Sequence, residues 1–258
     1  MDINLNKRSA IVTGGSKGLG LAIATSFAAS GADVAIAARG QVAIDAAVKE
    51  IKTSAKGRVV GVQGDVGVAA DIKRIFDEAE KAFGKIDIVV NTAGTLRNGA
   101  FEDISDEDWR ADIDQKLFAA IRLTRLAWPG MKSRKWGRVI NVLNILAKAP
   151  RKGSAPTTIS RAAGMALTKV LSHEGAPHNI LVNAMLVGFI ESDQHAQRAK
   201  RQGIALADFY AQRSKEIPLG RAGKAEEFAN LACFLASDAA SYITGTAINV
   251  DGGRSPVV

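Results

Sequence analysis

The stretch TGGSKGLG, Thr13 to Gly20, follows an apolar run, SAIVTGG, and opens an amphipathic one, GLGLAIATSFAASGA. Glycines at a strand-to-helix turn permit a tight bend and a close approach of backbone to a ligand. The helix start behind them offers free N–H groups and a dipole that favours negative charge. That is the chemistry of a pyrophosphate site. The spacing is G-x-x-x-G-x-G, through Gly14, Gly18 and Gly20, rather than the G-x-G-x-x-G of the general dinucleotide fingerprint. The next apolar run, DVAIAAR, ends without the carboxylate that would take ribose hydroxyls: Asp33 stands at its start and Arg39 at its end. Arg39 together with Lys17 inside the glycine loop suits a 2′-phosphate, so NADP(H) is favoured over NAD(H).

Strand-like and helix-like segments alternate along the 258 residues. DVAIAAR, RVVGVQGD, KIDIVVNTAG, GRVINVLN and ILVNAMLVG are near-continuous Val/Ile/Ala runs, which predict strands buried on both faces. AADIKRIFDEAEKAFG and DEDWRADIDQKLFAAIRLTRLAWPGM predict helices between them. The alternation predicts an α/β fold with a doubly wound parallel sheet. With no Pro/Gly/Ser-rich linker and no repeat, residues 1–258 read as one domain. The least regular part, 188–220, reads as an insertion at the sheet's carboxyl end and a candidate substrate lid.

Charge and composition remove other classes. The net charge is +8, yet the basic clusters MKSRKWGR and RAKRQG are short, separated and free of interleaved stacking aromatics. Nucleic acid is therefore not an expected partner, and the basic surface favours an anionic cofactor instead. No apolar stretch approaches the roughly 18–20 residues of a membrane span, so no membrane partner is expected. The N-terminus runs into a strand without a signal-peptide pattern, and a lone cysteine, Cys233, cannot form an internal disulfide. Both fit a cytoplasmic protein.

The motifs, in their order, resemble those of the short-chain dehydrogenase/reductase family over essentially the whole chain. TGGSKGLG is similar to the family's TGxxxGxG loop, and GDV, Gly64 to Val66, to the segment that sets Asp65 against the adenine. NTAG, Asn91 to Gly94, is similar to NNAG. LVNAMLVGFIESD resembles VNxxxPGxxxT, with Val187 for the usual proline and Ser192 for the usual threonine, and FLASDAASYITGTAINVDGG resembles the closing helix, turn and strand. The resemblance implies a Rossmann-type fold of about seven parallel strands with helices on both faces, a nicotinamide cofactor, and a homotetramer or homodimer. It implies cofactor contacts from the loop residues Gly14, Ser16, Lys17, Gly18, Leu19 and Gly20, and from Arg39, Asp65 and Val66. Further contacts would come from Asn91, Ala93 and Gly94, from Arg161, and from Gly188, Ile190 and Ser192.

The family's acid–base machinery is an Asn, Ser, Tyr, Lys tetrad, and this chain departs from it at every position: Lys116 for Asn, Asn144 for Ser, Thr157 for Tyr and Arg161 for Lys. The register is secure, because SRAAGMALTKVLSHEGAPHNILVN follows the family pattern without a gap. The tyrosines elsewhere are Tyr210, in the lid, and Tyr242, in the closing segment. A threonine hydroxyl does not ionise near neutral pH, and an arginine stays charged. Lys116 is the residue of the four whose pKa burial and a neighbouring guanidinium can bring into range. It is therefore read as proton donor, directly or through water, with Asn144 and Thr157 positioning a carbonyl oxygen and Arg161 holding ribose or a substrate carboxylate. The alternative for Lys116 is structural, capping backbone carbonyls or pairing with Asp112 or Asp114. Of His173, His178 and His195, only the last lies in the lid, and their spacing forms no metal site.

The leading functional reading is thus an NADP(H)-dependent oxidoreductase acting on a small-molecule carbonyl or alcohol with non-standard acid–base residues. Two alternatives use the same pocket: a non-catalytic nucleotide-binding sensor or scaffold, and a non-redox aldol or elimination activity with Lys116 as base or nucleophile.

Overall fold

Side-chain alternation decides which of two cores each strand residue joins. The computed structural model describes residues 3–258. Its first half runs β1 (Ser9–Thr13), α1 (Gly18–Ala29), β2 (Asp33–Ala38), α2 (Gln41–Lys52), β3 (Val59–Gln63), α3 (Ala69–Phe83) and β4 (Ile88–Asn91). Ala10, Val12, Val34, Ile36, Ile88 and Val90 face one side of the sheet and meet Phe27 of α1 and Ile44 of α2. Ile11, Ala35, Ala37 and Val89 face the other and meet Ile72, Ile75 and Phe76 of α3. Burial on both faces is why these strands read as unbroken apolar runs. Each fully buried Val or Ile stabilises the fold by about 1.5–3 kcal/mol.

The second half adds a short β5 (Asn98–Gly99), α4 (Asp106–Ile113), α5 (Ala119–Arg134), β6 (Gly137–Asn144), a short β7 (Ala155–Pro156) and α6 (Thr157–Gly175). It closes with β8 (Ile180–Val187), α7 (Asp193–Arg201), α8 (Leu206–Ser214), α9 (Ala225–Ala236) and β9 (Ala247–Val250). The seven-stranded sheet has the order β3-β2-β1-β4-β6-β8-β9; its neighbours are parallel, as the sequence predicts, and the strand number is the one the resemblance implies. The chain travels outward from β1 in one direction and from β4 in the other. A crevice therefore opens at the carboxyl ends of these two strands, where such sheets bind ligands. β5 and β7 pair antiparallel, which ties the loop after β4 to the residues just before Thr157.

Two expectations change. The predicted helix over DEDWRADIDQKLFAAIRLTRLAWPGM is interrupted: a π-helical turn, Asp114–Phe118, separates α4 from α5 and carries Lys116. Such a turn shifts the register by one residue, which hydrophobic periodicity does not reveal, and π turns recur at functional sites. Segment 188–220 is not irregular. It forms α7 and α8 around a small core of its own, Phe189, Ala199, Phe209, Ile217 and Ala222. Each helix has only nine residues, too few turns for a clear apolar stripe in the sequence.

Candidate functional site

Thr13, the last residue of β1, anchors the glycine loop. Its Oγ1 donates to the Val90 carbonyl at 3.2 Å and accepts from the amides of Thr92 and Ala93 at 3.0 and 3.2 Å. The ends of β1 and β4 are thus locked together at the crevice. Gly14 turns with φ +67°, a left-handed conformation that favours glycine. A Cβ on Gly20 would lie 2.3 Å from the Gly14 carbonyl oxygen, so only glycine lets the loop fold back on its helix. We expect Gly20→Ala to cost about 1–3 kcal/mol of overpacking and lower the thermal midpoint by several degrees. An unchanged midpoint would mean that the loop and helix can part freely. Helix α1 starts at Gly18 with Lys17 at its N-cap, no side-chain cap and no acidic residue in the first turn. Its first amides are left for an anion.

Two cavities meet over this loop, sharing Gly14, Ala93, Gly94 and Thr95. The outer one, about 290 Å³, is lined by Ser16, Arg39, Asp65 and Val66, and also by Gln115, which sequence reasoning missed. Arg39 is exposed at the end of β2, and its carbonyl accepts from Gln63 Nε2 at 2.9 Å. Asp65 Oδ1 accepts from the Gly67 amide at 2.9 Å, which fixes the turn after β3. The inner cavity, about 430 Å³, gathers Lys17, Gly18, Leu19 and Gly20 from the loop with Gly188, Ile190 and Ser192 after β8. The same cavity gathers Lys116, Asn144, Thr157 and Arg161. The Asn91 side chain lines neither cavity, because it is buried and donates to Asn141 Oδ1 at 2.9 Å, bridging β4 and β6.

At the inner end the ammonium of Lys116 is buried, with its side chain only 1% exposed. It donates to Asp112 Oδ1 and, at 2.8 Å, to Thr157 Oγ1. Between the two acidic partners suggested by the sequence, the structure selects Asp112; Asp114 instead pairs with Arg122 at 3.1 Å. The Thr157 hydroxyl is fully committed: it donates to Asp112 Oδ1 at 3.1 Å and accepts from Lys116 and from the Arg97 amide at 3.0 Å. Ser160, unmarked in the sequence, donates to Asp112 Oδ2 at 2.6 Å. Burial pushes the Lys116 pKa down to about 8, with Asp112 opposing the shift and Arg161 and Arg97 adding to it.

Arg161, one turn along α6 from Thr157, donates to the Val142 carbonyl at 2.6 Å and lies against Gly94, where a Cβ would sit 2.8 Å from its Nη2. Burial lowers its pKa to about 10, so it stays charged at neutral pH. Buried polar atoms are normally paired. Thr92 Oγ1, Asn144 Oδ1 and Arg161 Nε, all on residues lining the inner cavity, are buried with no partner among the described residues. That donor and acceptor set fits a polar nucleotide.

Residues from segment 188–220 line the other wall. His195 lines the inner cavity and packs on Phe189 and Phe209 with ring centroids 4.6 and 5.7 Å apart. Burial, then Arg198, lowers its pKa, which keeps the imidazole neutral near pH 7. Tyr210 accepts from the Ser192 amide at 3.1 Å, and Tyr242 is fully exposed. Neither lines the inner cavity.

Comparison with known proteins gives a consistent set. A family model described as Enoyl-(Acyl carrier protein) reductase matches residues 14–255. The 3-oxoacyl-(acyl-carrier-protein) reductase FabG of Aquifex aeolicus is 35% identical, over 98% of this chain and 99% of its own. The acetoacetyl-CoA reductase of Shinella zoogloeoides is 33% identical, over 96% of this chain and 98% of its own. Among solved structures, L-sorbose reductase from Gluconobacter frateurii, complexed with NADPH and L-sorbose, has a TM-score of 0.95 at 32% identity, with 100% of both chains covered. YwfH, an NADPH-dependent reductase involved in bacilysin biosynthesis, has a TM-score of 0.91 at 33% identity, covering 98% of this chain and 100% of its own.

Proposed function

The chain belongs to the short-chain dehydrogenase/reductase family, and from that premise we propose that it is an NADP(H)-dependent oxidoreductase interconverting a small-molecule carbonyl and its alcohol. The observation that carries this reading is one cavity whose walls include both the uncapped start of α1 and the buried Lys116. Reductase relatives, two of them NADPH-binding or NADPH-dependent structures, support the same reading.

The amides of α1 and Lys17 would hold the pyrophosphate, and Arg39 with Ser16 the 2′-phosphate. Asp65 and Val66 would border the adenine, and Arg161 beside Gly94 the nicotinamide ribose. When bound, the reduced cofactor supplies a hydride to the carbonyl carbon. Asn144 polarises the carbonyl oxygen by a hydrogen bond, and Lys116 Nζ gives that oxygen a proton, directly or through a water. Thr157 takes a different part from the one expected of it. With its hydrogen on Asp112 and both lone pairs occupied, it positions Lys116 instead of the substrate. Arg161 supplies fixed positive charge and no proton. The segment around α7 and α8, with His195 facing inward, acts as the substrate lid.

An ammonium donates only while protonated. Carbonyl reduction is therefore expected to fall as pH rises through about 8, and alcohol oxidation to rise through the same region. A reduction profile that stays flat there removes Lys116 as donor. The function itself is tested by NADPH fluorescence on the purified protein, followed by absorbance change with carbonyl and alcohol panels. Tight binding without turnover would favour a nucleotide sensor, and substrate consumption without cofactor would favour aldol or elimination chemistry.

A further inference from the structure

Asp112 lies in α4, outside the four positions at which the family's acid–base residues fall, and it is fully buried. Its oxygens take three side-chain donors: Lys116 and Thr157 on Oδ1, and Ser160 on Oδ2. We propose that Asp112, oriented by Ser160, is a positioning residue that keeps Lys116 protonated and aimed at the inner cavity. This rests on the reading of Lys116 as the proton donor.

The charge balance around Lys116 requires such a group. From α6, Arg161 opposes the ammonium, and from the loop before β5 so does Arg97. Burial opposes it too. Asp112 is the charged group that favours the ammonium, so without it burial and both guanidiniums drive the proton off, opposed only by the Thr157 hydroxyl. Geometry makes the pair rigid. Thr157 bridges Lys116 and the same carboxylate oxygen that Lys116 uses, closing a triangle of hydrogen bonds. Ser160, three residues further along α6, holds the second oxygen at 2.6 Å and stops the carboxylate from rotating away. The two partners stand four residues apart, the spacing that makes side chains neighbours on a helix surface. In turnover the proton moves from Lys116 Nζ to the substrate oxygen, Asp112 stays ionised, and solvent returns one proton to the amine.

The test follows Lys116 itself. In the full-length protein, NMR titration of its ε-methylene signal, assigned by its loss in Lys116→Met, reports the charge without any turnover. In Asp112→Asn the titration midpoint is expected to fall by about 1–3 pH units, the scale of a lost neighbouring opposite charge. Ser160→Ala should move it in the same direction by less. The alkaline limb of kcat/KM for reduction should move with each midpoint while NADPH affinity holds. Midpoints that stay put in both variants overturn the proposal. A loss of kcat with an unmoved limb also overturns it, because a purely structural carboxylate would give that result. Should Asp112→Asn fail to fold, Ser160→Ala decides alone: a lowered midpoint supports the proposal and an unmoved one overturns it. A shifted midpoint in a protein that reduces no carbonyl would overturn the oxidoreductase reading and leave the placement of the charge intact.

Discussion

Lys116→Met is expected to reduce NADPH-dependent carbonyl turnover about 100- to 10,000-fold, the usual contribution of a positioned acid, with NADPH affinity retained. The residue lines the inner cavity, whereas the glycine loop, Lys17 and Arg39 would bind the cofactor without it. The alkaline limb near pH 8 should vanish along with the activity. Stability should fall as well: Asp112 would keep Thr157 and Ser160 but lose its counter-charge inside the protein. Removing one partner of a buried ion pair costs about 3–5 kcal/mol. The stranded carboxylate escapes by taking a proton, so the deficit should shrink as pH falls. Lys116→Arg separates the two roles. An arginine supplies the counter-charge but no transferable proton, so it should recover part of the stability and none of the turnover. Turnover in Lys116→Met equal to that of the parent protein would rule out the proposed proton path.

Arg39→Asp is expected to invert the cofactor preference. Arg39 is exposed at the carboxyl end of β2 and shares the outer cavity with Ser16. A hydrogen bond to a charged group contributes about 1.5–3 kcal/mol, so NADPH should bind about 10- to 150-fold more weakly. An aspartate there would also repel the 2′-phosphate and offer a carboxylate to the ribose hydroxyls, so NADH should gain affinity. Lys17 lines the inner cavity at the start of α1 and should serve either cofactor. Fluorescence titration with both nucleotides reads the ratio directly. A ratio unchanged by Arg39→Asp would remove Arg39 from cofactor selection.

Most of the frame is legible in the sequence because it is written locally. The Val/Ile/Ala runs that become β1, β2, β4, β6 and β8 carry their own burial signal, and Gly14, Gly18 and Gly20 mark a turn that few other residues could make. That Arg39 follows directly on β2 is legible for the same reason. The helices of segment 188–220 are not legible, because two nine-residue helices offer too few turns for a periodic pattern. For Asn91 the sequence marks a polar residue at a strand end and says nothing of the buried amide, Asn141, that takes its side chain.

By itself, then, the sequence determined the doubly wound sheet and its glycine turn, and it set Lys116, Asn144, Thr157 and Arg161 apart as candidates. Only the tertiary structure decided what surrounds them. Asp112 and Lys116 are one helical turn apart in sequence, but Thr157 and Ser160 reach Asp112 across 45 and 48 positions. A buried ammonium takes its charge state from everything packed around it, and here that environment joins two helices, a π turn and a loop. Local pattern reports on neighbours in the chain, whereas electrostatics in a dry interior reports on neighbours in space.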